Sequence, residues 1–433
     1  MINTAEVYLW GTRIGIIHQD DDKSYISFEY DRNFINSGIE LSPLKMPLSS
    51  RVYTFPELAG SAFHGAPGLV SDSLPDKFGN RVIERWLTEQ GRSLSDFNVI
   101  DRLCYTGQRG MGALEYHPVS GPDRSVVEDI DISKMVKFAS DILTGKKEQQ
   151  IRITDDPGYS QLIRLGTSAG GARAKALIAW NEEKGLIKSG QIDAGNGYEY
   201  WLLKFDGVNK NGDHDLEDEV EYTRIEYAYS LMAKDAGIKM SECRLFEENG
   251  RYHFMTKRFD RVQNQKLHMQ TLGAIAHIDY NIPGQSGYEE AADITMRLTN
   301  SAADVTELYR RMVFNVILVN QDDHVKNTAF LMNKKGEWKL APAYDLTFSY
   351  NPDNTWLRAH QMRINGKTEG ITYEDLIASG KAMGLNKAKC DKIVRLTQSI
   401  ADKISGYLEQ AGVSSKTIRM LESIIKNNTW QDS

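Results

Sequence analysis

The sequence predicts an α+β fold in which candidate strands precede residue 257 and helices dominate the chain after it. Short apolar runs bounded by turn residues recur between positions 161 and 256, whereas residues 373–430 mostly follow a helical period. With 433 residues, of which 41% are hydrophobic, the chain is long enough for a large core and for two or three domains.

A glycine-rich segment at 166–175 lies between two candidate strands, 161–165 and 176–180. Its small residues would let main-chain N–H groups approach a phosphate closely, and Lys175 would add positive charge. The segment lacks the Gly–Lys–Ser/Thr signature of a P-loop. Taken alone, it is weak evidence, because most such stretches are flexible turns that bind nothing.

A strand at 199–205, an acidic loop, a helix at about 219–236 and a hairpin at 242–246 and 251–256 follow. Lys204 is the basic residue of this strand. A lysine on a buried strand requires an anionic partner, such as a nucleotide phosphate or a helix carboxylate. Glu226 is the candidate carboxylate, and the alternative is that Glu226 is a surface residue.

The most informative segment is 320–327 (NQDDHVKN), followed by Asp345 in the segment 342–346 (PAYDL). Asp322 precedes the amide of Asn327 by five residues. A buried helix predicted at 308–319 ends just before this segment, and strands predicted at 328–332 and 338–341 form a hairpin after it. Because a hairpin returns the chain to its start, Asn327 and Asp345 are expected to lie close together.

Protein kinases arrange a base Asp, a metal-binding Asn and a second Asp in this order. Asn327 and Asp345 would supply the hard oxygen ligands that Mg²⁺ prefers, with ATP phosphates and water completing the shell. Asp322 would not bind the metal and would accept the proton of a substrate hydroxyl. The alternative is that these are solvated loop charges, and the order of helix, hairpin and second Asp favours the kinase arrangement over it. The order predicts a bilobal protein-kinase-like fold with ATP and Mg²⁺ as cofactors.

The C-terminal region is predicted to form helices at 376–383, 387–408 and 415–426. Lys387, Lys389 and Lys392 make a basic cluster there. This cluster is a candidate DNA contact in a larger complex, although a solvated helix face is the simpler interpretation.

Composition narrows the class of protein. The three cysteines lie far apart, without disulfide-framework or zinc-site spacing, which predicts a reducing compartment and a cytoplasmic location. Neither a signal peptide nor a membrane span is expected. A net charge of −7 gives no overall attraction to nucleic acid.

The chain resembles the HipA family of bacterial serine/threonine kinases, the toxins of type II toxin–antitoxin modules. The resemblance rests on residues 257–261 (KRFDR), on the 322-to-327 spacing and on 342–346, with further similarity at 73–80 and 107–114. It covers nearly the whole chain. It implies a β-rich N-terminal subdomain at 1–120, a kinase N-lobe-like region with the glycine loop at 121–257, and a mostly helical kinase C-lobe at 258–433.

The resemblance also implies site residues. Asp322 would be the catalytic proton acceptor, and Asn327 and Asp345 the magnesium ligands. The implied nucleotide-binding residues are Gly170, Gly171, Ala172, Arg173, Ala174 and Lys175 over the phosphates, Lys204 on them, Lys257, Arg258 and Phe259 at the adenine hinge, and His324, Val325, Lys326, Asn327, Tyr344 and Asp345 elsewhere in the ATP site.

Ser168 matches the family's autophosphorylated serine. A phosphate there would add a charge of about −1.5 to −2 and push the loop out of its binding conformation. This loop reads Gly–Gly–Ala–Arg–Ala–Lys where the family commonly has Ala–Gly–Ala–Gln–x–Lys. The family's regulation by autophosphorylation therefore does not follow for this chain from the resemblance alone. Asp323 is a second candidate base, but the spacing to Asn327 favours Asp322. His324 is expected to be structural or a nucleotide contact.

The favoured function is a protein kinase toxin whose partners are a HipB-like helix-turn-helix antitoxin and a protein substrate such as an aminoacyl-tRNA synthetase. DNA would be contacted only indirectly through the antitoxin, and no membrane is involved. One alternative is a pseudokinase or co-repressor that binds an antitoxin and DNA. Another is a metal-dependent phosphohydrolase, for which the nine scattered histidines supply no obvious ligand set.

Overall fold

The computed structural model describes residues 1–120, 130–144, 173–191, 193–208, 221–262 and 265–428. The chain divides into two compact units. The first unit comprises Met1–Thr223, Arg244–Gln270 and Asn333–Gly336, and the second comprises Arg224–Cys243, Thr271–Met332 and Glu337–Ser433. The three domain ranges expected from the sequence stay a prediction.

The first unit begins with an antiparallel sheet in the order β4-β3-β2-β1-β5. Its strands are β1 (Thr4–Leu9), β2 (Thr12–His18), β3 (Ser27–Tyr30), β4 (Tyr53–Thr54) and β5 (Leu114–His117), and the helices between them are α1 (Arg32–Ile35), α2 (Gly68–Ser71), α3 (Lys77–Glu89) and α4 (Val99–Thr106). Alternate residues of β1, namely Ala5, Val7 and Leu9, are buried, as expected for a sheet with one face on a core.

A second sheet in the same unit has the order β7-β6-β8-β10-β9. After α5 (Ile132–Thr144), the elements are β6 (Lys175–Asn181), β7 (Leu186–Ser189), β8 (Glu199–Lys204), α6 (Tyr222–Asp235), β9 (Cys243–Glu248), β10 (Arg251–Lys257), β11 (Arg261–Val262), β12 (Gln265–Lys266) and β13 (His268–Thr271). The strands predicted at 176–180 and 199–205, and the hairpin after them, are confirmed. The strand predicted at 161–165 lies outside the described residues, as does most of the acidic loop.

The core of this unit fills the space beside the second sheet. Trp201 and Leu203 of β8 pack with Ile178 of β6, and Val82 of α3 and Met135 of α5 join the same cluster. Each of these five residues is no more than 1% exposed. Lys204 therefore ends a strand in which Trp201 and Leu203 are fully buried.

The second unit contains most of α6, followed by α7 (Leu272–Ala276), α8 (Tyr288–Thr299), α9 (Ala302–Ile317), β14 (Ala329–Met332), β15 (Trp338–Leu340), α10 (Tyr373–Ala382), α11 (Lys387–Ala401), α12 (Ile404–Gln410) and α13 (Ser415–Asn428). The helix predicted at 308–319 begins earlier, because the Ser301 side chain accepts a hydrogen bond from the Asp304 N–H and caps it. It ends at Ile317, and Val319 has a φ of +55°.

One C-terminal helix was predicted wrongly. Residues 387–408 form two helices, α11 and α12, because the hydrogen-bond pattern tightens between them. Lys403 N–H donates to the Ile400 carbonyl and Gly406 N–H to the Lys403 carbonyl, which are three-residue steps. The lysines 387, 389 and 392 of α11 are exposed, as both the solvated-face and the DNA-contact interpretations require.

The predicted α+β class is confirmed by these sheets and helices. Across the described part of the chain, no helix combines the length and the apolar character that a membrane crossing requires.

Candidate active site

The segment that carries Asp322 leaves a buried helix through a constrained bend. Val319 is 1% exposed and lies in the left-handed region, where a β-branched residue is strained. The Gln321 N–H donates to the Ser349 carbonyl at 2.8 Å, and the Ser349 N–H donates to the Val319 carbonyl at 3.1 Å. The main chain on the N-terminal side of Asp322 is therefore fixed.

Asp322 and Asn327 are joined directly. The Asn327 Nδ2 donates to the main-chain carbonyl of Asp322 at 2.8 Å. This bond fixes the amide and directs its Oδ1 away from the loop carbonyl. The Asp322 side chain is 48% exposed, and its Oδ1 lies 3.8 Å from His324 Nε2. The Asp322 carboxylate is therefore accessible and its main chain orients the Asn327 amide, while the catalytic and metal-binding roles of the two residues stay predictions.

Asp323, the alternative base, is buried and occupied. Its Oδ2 accepts hydrogen bonds from the Tyr288 hydroxyl at 2.9 Å and from His360 Nδ1 at 3.0 Å, and its Oδ1 accepts from the Gln361 N–H at 2.7 Å. Its side chain is 1% exposed. A carboxylate with three donors and almost no solvent contact is poorly placed to take a proton from a substrate.

The hairpin after Asn327 has the predicted form. Strands β14 and β15 pair antiparallel, with Phe330 opposite Leu340. The Ala341 N–H donates to the Ala329 carbonyl at 2.8 Å, and the Tyr344 hydroxyl donates to the Lys326 carbonyl at 2.5 Å. The segment ending at Asp345, whose φ is +52°, is therefore attached to the segment ending at Asn327.

Residues Val325–Asn327, which follow Asp322 and His324, form a single turn of 3-10 helix. Val325 is buried against α7, where Gly273 leaves room for it: a Cβ at Gly273 would lie 3.0 Å from Val325 Cγ2. The rings of His324 and Tyr280 are 5.5 Å apart, and Lys326 Nζ lies 4.8 Å from the Tyr280 ring centre. His324 and Lys326 thus share one aromatic neighbour.

In the first unit, Lys204 and Lys175 lie directly opposite each other on β8 and β6. Both are buried, at 7% and 4% exposure. Lys204 Nζ is 5.8 Å from the ring centre of Phe254, which is the residue opposite it on β10. Lys175 Nζ is 3.5 Å from Asp76 Oδ2, an ion pair that was not predicted.

The predicted hinge residues already have structural contacts. Lys257 forms a partly exposed ion pair with Glu199. The Arg258 N–H donates to the Tyr200 carbonyl at 2.8 Å, and its buried guanidinium bonds to Asp260 and to the Gly190 carbonyl. Although burial raises the pKa of Asp260, the guanidinium groups on either side hold that pKa well below its usual value.

The remaining predicted residues divide between described and undescribed parts of the chain. Four of them lie outside the described residues, namely Ser168, Gly170, Gly171 and Ala172, so their roles stay predictions. The Arg173 guanidinium lies 4.2 Å from the Tyr222 ring centre, and the Ala174 carbonyl accepts from the Phe205 N–H at 3.2 Å. Glu226 is 1% exposed, so its interpretation as a surface residue is wrong, while its pairing with Lys204 stays a prediction.

The oxygen atoms of Asn327 and Asp345 fit a magnesium ion that also binds phosphate. They are hard ligands, and the Asn327 amide is oriented by its own hydrogen bond. Among the described residues, no group of three or more His, Cys, Asp or Glu side chains could hold a metal. A site with two protein ligands is consistent with that finding, whereas a dinuclear hydrolase site finds no support in the described residues.

Sequence reasoning missed Asp76, Tyr288, His360 and Gln361. Asp76 is the N-cap of α3, and its Oδ1 accepts from the Gly79 N–H at 2.6 Å; the segment Asp–Lys–Phe–Gly carries a recognisable cap signal, but nothing in it indicates Lys175. Tyr288, His360 and Gln361 donate hydrogen bonds to Asp323 although they lie far from it in the sequence.

Comparison with known proteins gives family matches over most of the sequence. A model of the HipA N-terminal domain matches residues 5–117, and a model of the HipA-like C-terminal domain matches residues 167–404, which is more than half of the chain.

Two curated relatives are named as kinases. A putative kinase from Haemophilus influenzae is 31% identical over 218 residues, covering 42% of this chain and 63% of its own length. The putative kinase Y4mE from Sinorhizobium fredii is 25% identical over 427 residues, covering 92% of this chain and 91% of its own. This chain therefore spans less than two thirds of one relative and nearly all of the other.

Among solved structures, the HipA chain of the Shewanella oneidensis complex of HipA, HipB and operator DNA has a TM-score of 0.67. The two are 16% identical, and the likeness covers 98% of this chain and 95% of that one. At this identity the similarity shows a shared fold.

Proposed function

This chain belongs to the HipA family, as its motifs predict, and from that premise we propose that it is an ATP- and Mg²⁺-dependent serine/threonine protein kinase. One observation carries the proposal. The carboxylate of Asp322 is accessible, its main-chain carbonyl holds Asn327, and its neighbour Asp323 is buried. The kinase names of the two curated relatives support the same reaction class.

The roles of the residues follow from their surroundings. Asp322 accepts the proton of the attacking hydroxyl, because its side chain is half exposed and reachable by a substrate. Asn327 and Asp345 hold Mg²⁺, which when bound neutralises charge on the transferred phosphoryl group. Lys204 places a positive charge on the phosphates. Because these residues position the reactants and neutralise the charge of the phosphates, the protein forms no covalent intermediate in this proposal.

The proposal is tested by Asp322→Asn, assayed for γ-phosphate transfer from ATP to dephosphorylated casein and to the protein itself. Loss of a positioned base lowers the rate about 10²- to 10⁴-fold. Asp353→Asn, in an exposed turn, is the matched control and should retain the wild-type rate. Thermal unfolding of each variant checks folding. Wild-type turnover by Asp322→Asn would remove the assignment of the base.

Autophosphorylation of Ser168 is part of the proposal and rests on the family resemblance. Incubation with ATP followed by phosphopeptide mapping should find the modification on the peptide that contains Ser168. If ATP is turned over and that peptide stays unmodified, the regulatory role is wrong while the kinase assignment stands.

We propose further that the protein acts as a toxin restrained by a HipB-like helix-turn-helix antitoxin. The Shewanella oneidensis HipA is in a complex with HipB and operator DNA, and this chain shares its fold. DNA is then reached through the antitoxin, and the substrate is a translation factor such as an aminoacyl-tRNA synthetase. Co-expression with a helix-turn-helix protein encoded beside this gene should yield a complex on size-exclusion chromatography and relieve growth inhibition.

Two alternatives give different outcomes in these assays. A pseudokinase or co-repressor would bind the antitoxin without turning over ATP, and a phosphohydrolase would release phosphate without forming phosphoprotein. The intact set of Asp322, Asn327, Asp345 and Lys204 favours the kinase over the first. The absence of a three-residue metal cluster within the described ranges favours it over the second.

A further inference from the structure

Asp323 is a buried carboxylate of the catalytic segment, although the proposed reaction assigns it no role. Its two oxygens accept from three donors, the Tyr288 hydroxyl, His360 Nδ1 and the Gln361 N–H, at 2.7 to 3.0 Å. Because a carboxylate only accepts, His360 donates through Nδ1. Burial, together with the Asp323 charge, raises the pKa of Tyr288 well above its usual value, so the phenol stays protonated as a donor.

The contacts continue from Asp323 into the buried helix that precedes the segment. Asn315 Nδ2 donates to the Tyr288 hydroxyl oxygen at 2.9 Å, and Asn320 Nδ2 donates to Asn315 Oδ1 at 3.0 Å. Tyr288 is the first residue of α8, and Asn315 lies near the end of α9. The network therefore joins α8, α9, the segment 320–323 and the segment 360–361.

Asp322 is held from both sides by this arrangement. Its carbonyl accepts the hydrogen bond from Asn327. The side chain of the next residue, Asp323, is held by its three hydrogen-bond donors. With Val319 in a strained conformation before it, the peptide that carries the Asp322 side chain has little freedom to rotate. A shift of about 1 Å in a reacting group can cost on the order of 10²-fold in rate.

We propose that Asp323, together with Tyr288 and His360, is a positioning unit that fixes the orientation of the Asp322 carboxylate for proton transfer. This inference rests on the proposed kinase function. Asp323 does not contact substrate or nucleotide in this proposal and acts only through Asp322.

The position requires a carboxylate rather than an amide. Three donors converge on Asp323, and an asparagine there offers one acceptor oxygen and turns an NH₂ group toward at least one donor. A buried donor left without an acceptor costs about 1 to 3 kcal/mol, so the loop would rearrange around the amide. Asp323→Asn therefore disturbs Asp322 although it preserves shape.

The test is a double-mutant cycle of Asp322→Asn and Asp323→Asn, with kcat for phosphoryl transfer and the Kd of ATP measured for each protein. We expect Asp323→Asn to lower kcat about 10- to 100-fold while the Kd of ATP changes less than about twofold. In the Asp322→Asn background, Asp323→Asn should have no further effect, because its target is already gone. An equal loss in both backgrounds, or a parallel loss of ATP affinity, would overturn the inference.

Variants of the donors keep the test decisive if Asp323→Asn fails to fold. His360→Ala should lower kcat, whereas His360→Asn, whose amide nitrogen occupies nearly the position of Nδ1, should restore most of it. Tyr288→Phe removes one hydrogen-bond donor to Asp323 and leaves the Asp323 carboxylate with two donors. Wild-type kcat in His360→Ala would overturn the inference. The kinase proposal fails separately, if Asp322→Asn keeps the wild-type rate.

Discussion

Lys175 and Asp76 form a buried ion pair in the first unit, with Nζ and Oδ2 3.5 Å apart and side chains 4% and 7% exposed. Lys175 lies opposite Lys204 on the neighbouring strand, so two ammonium groups lie on one face of the sheet. Like charges at such positions repel, and burial disfavours each charge further. Asp76 therefore offsets part of the repulsion between the two ammonium groups.

We predict that Asp76→Asn destabilises the protein by about 3 kcal/mol or more, because it leaves Lys175 buried without this carboxylate. Asparagine is a good N-cap, so the hydrogen bond from Gly79 should survive and the loss reports on the ion pair. Asp293→Asn is the control, since the Asp293–Arg297 pair is more than 60% exposed on both sides and should contribute less than about 0.5 kcal/mol. Urea unfolding measures both, and equal effects would contradict the prediction.

Lys204→Met should separate function from stability. Methionine has nearly the length of lysine and should keep the packing of the side chain beside Phe254, and urea unfolding checks that the variant is folded. Phosphoryl transfer should fall, with a raised KM for ATP, because the positive charge on the phosphates is lost. Lys184→Met, in the exposed turn between β6 and β7, is the control and should change neither quantity. Unchanged ATP kinetics in Lys204→Met would contradict the role of Lys204.

Asn327→Ala should raise the Mg²⁺ concentration needed for half-maximal turnover by about 10-fold or more, since it removes a proposed ligand oxygen and the bond to the Asp322 carbonyl. Titration of activity with MgCl₂ at saturating ATP measures the shift. Asn281→Ala, at an exposed position, should leave the titration unchanged. If Asn327→Ala loses activity at every Mg²⁺ concentration in the same proportion, Asn327 does not act through the metal.

The sequence predicted those parts of the fold and site that depend on local chain geometry. The hairpin after Asn327 is set by two apolar runs and a glycine-containing turn, and it was predicted nearly to the residue. The contacts of Asp323 were not predictable in this way. Its partners Tyr288, His360 and Gln361 lie 35 to 38 positions away and carry no periodic signal.

The choice between two adjacent carboxylates shows the same division. Spacing to Asn327 favoured Asp322, while burial, which spacing does not reveal, explains what Asp323 does instead. Similarly, the break between α11 and α12 arises from a tightened turn at 400–406. It could not be predicted, because the apolar residues keep a helical spacing across the turn.

His268 in β13 is a buried acceptor whose protonation should limit stability in mild acid. Gln270 Nε2 donates to His268 Nε2 at 2.8 Å and to the Leu41 carbonyl at 2.7 Å, so a proton on that ring nitrogen would oppose an N–H donor. Burial lowers the pKa of His268 to about 3. In the unfolded chain the pKa of histidine is about 6.5.

The stabilisation linked to His268 is therefore fully present above about pH 6.5 and is lost as the pH falls toward 3, because the unfolded state binds a proton that the folded state does not. We predict that His268→Gln, which keeps an acceptor and cannot titrate, reduces the fall in unfolding free energy between pH 6 and 5 by about 1 kcal/mol relative to wild type. Urea unfolding at pH 7, 6 and 5 measures the slope. A wild-type slope in His268→Gln would contradict the neutral buried imidazole.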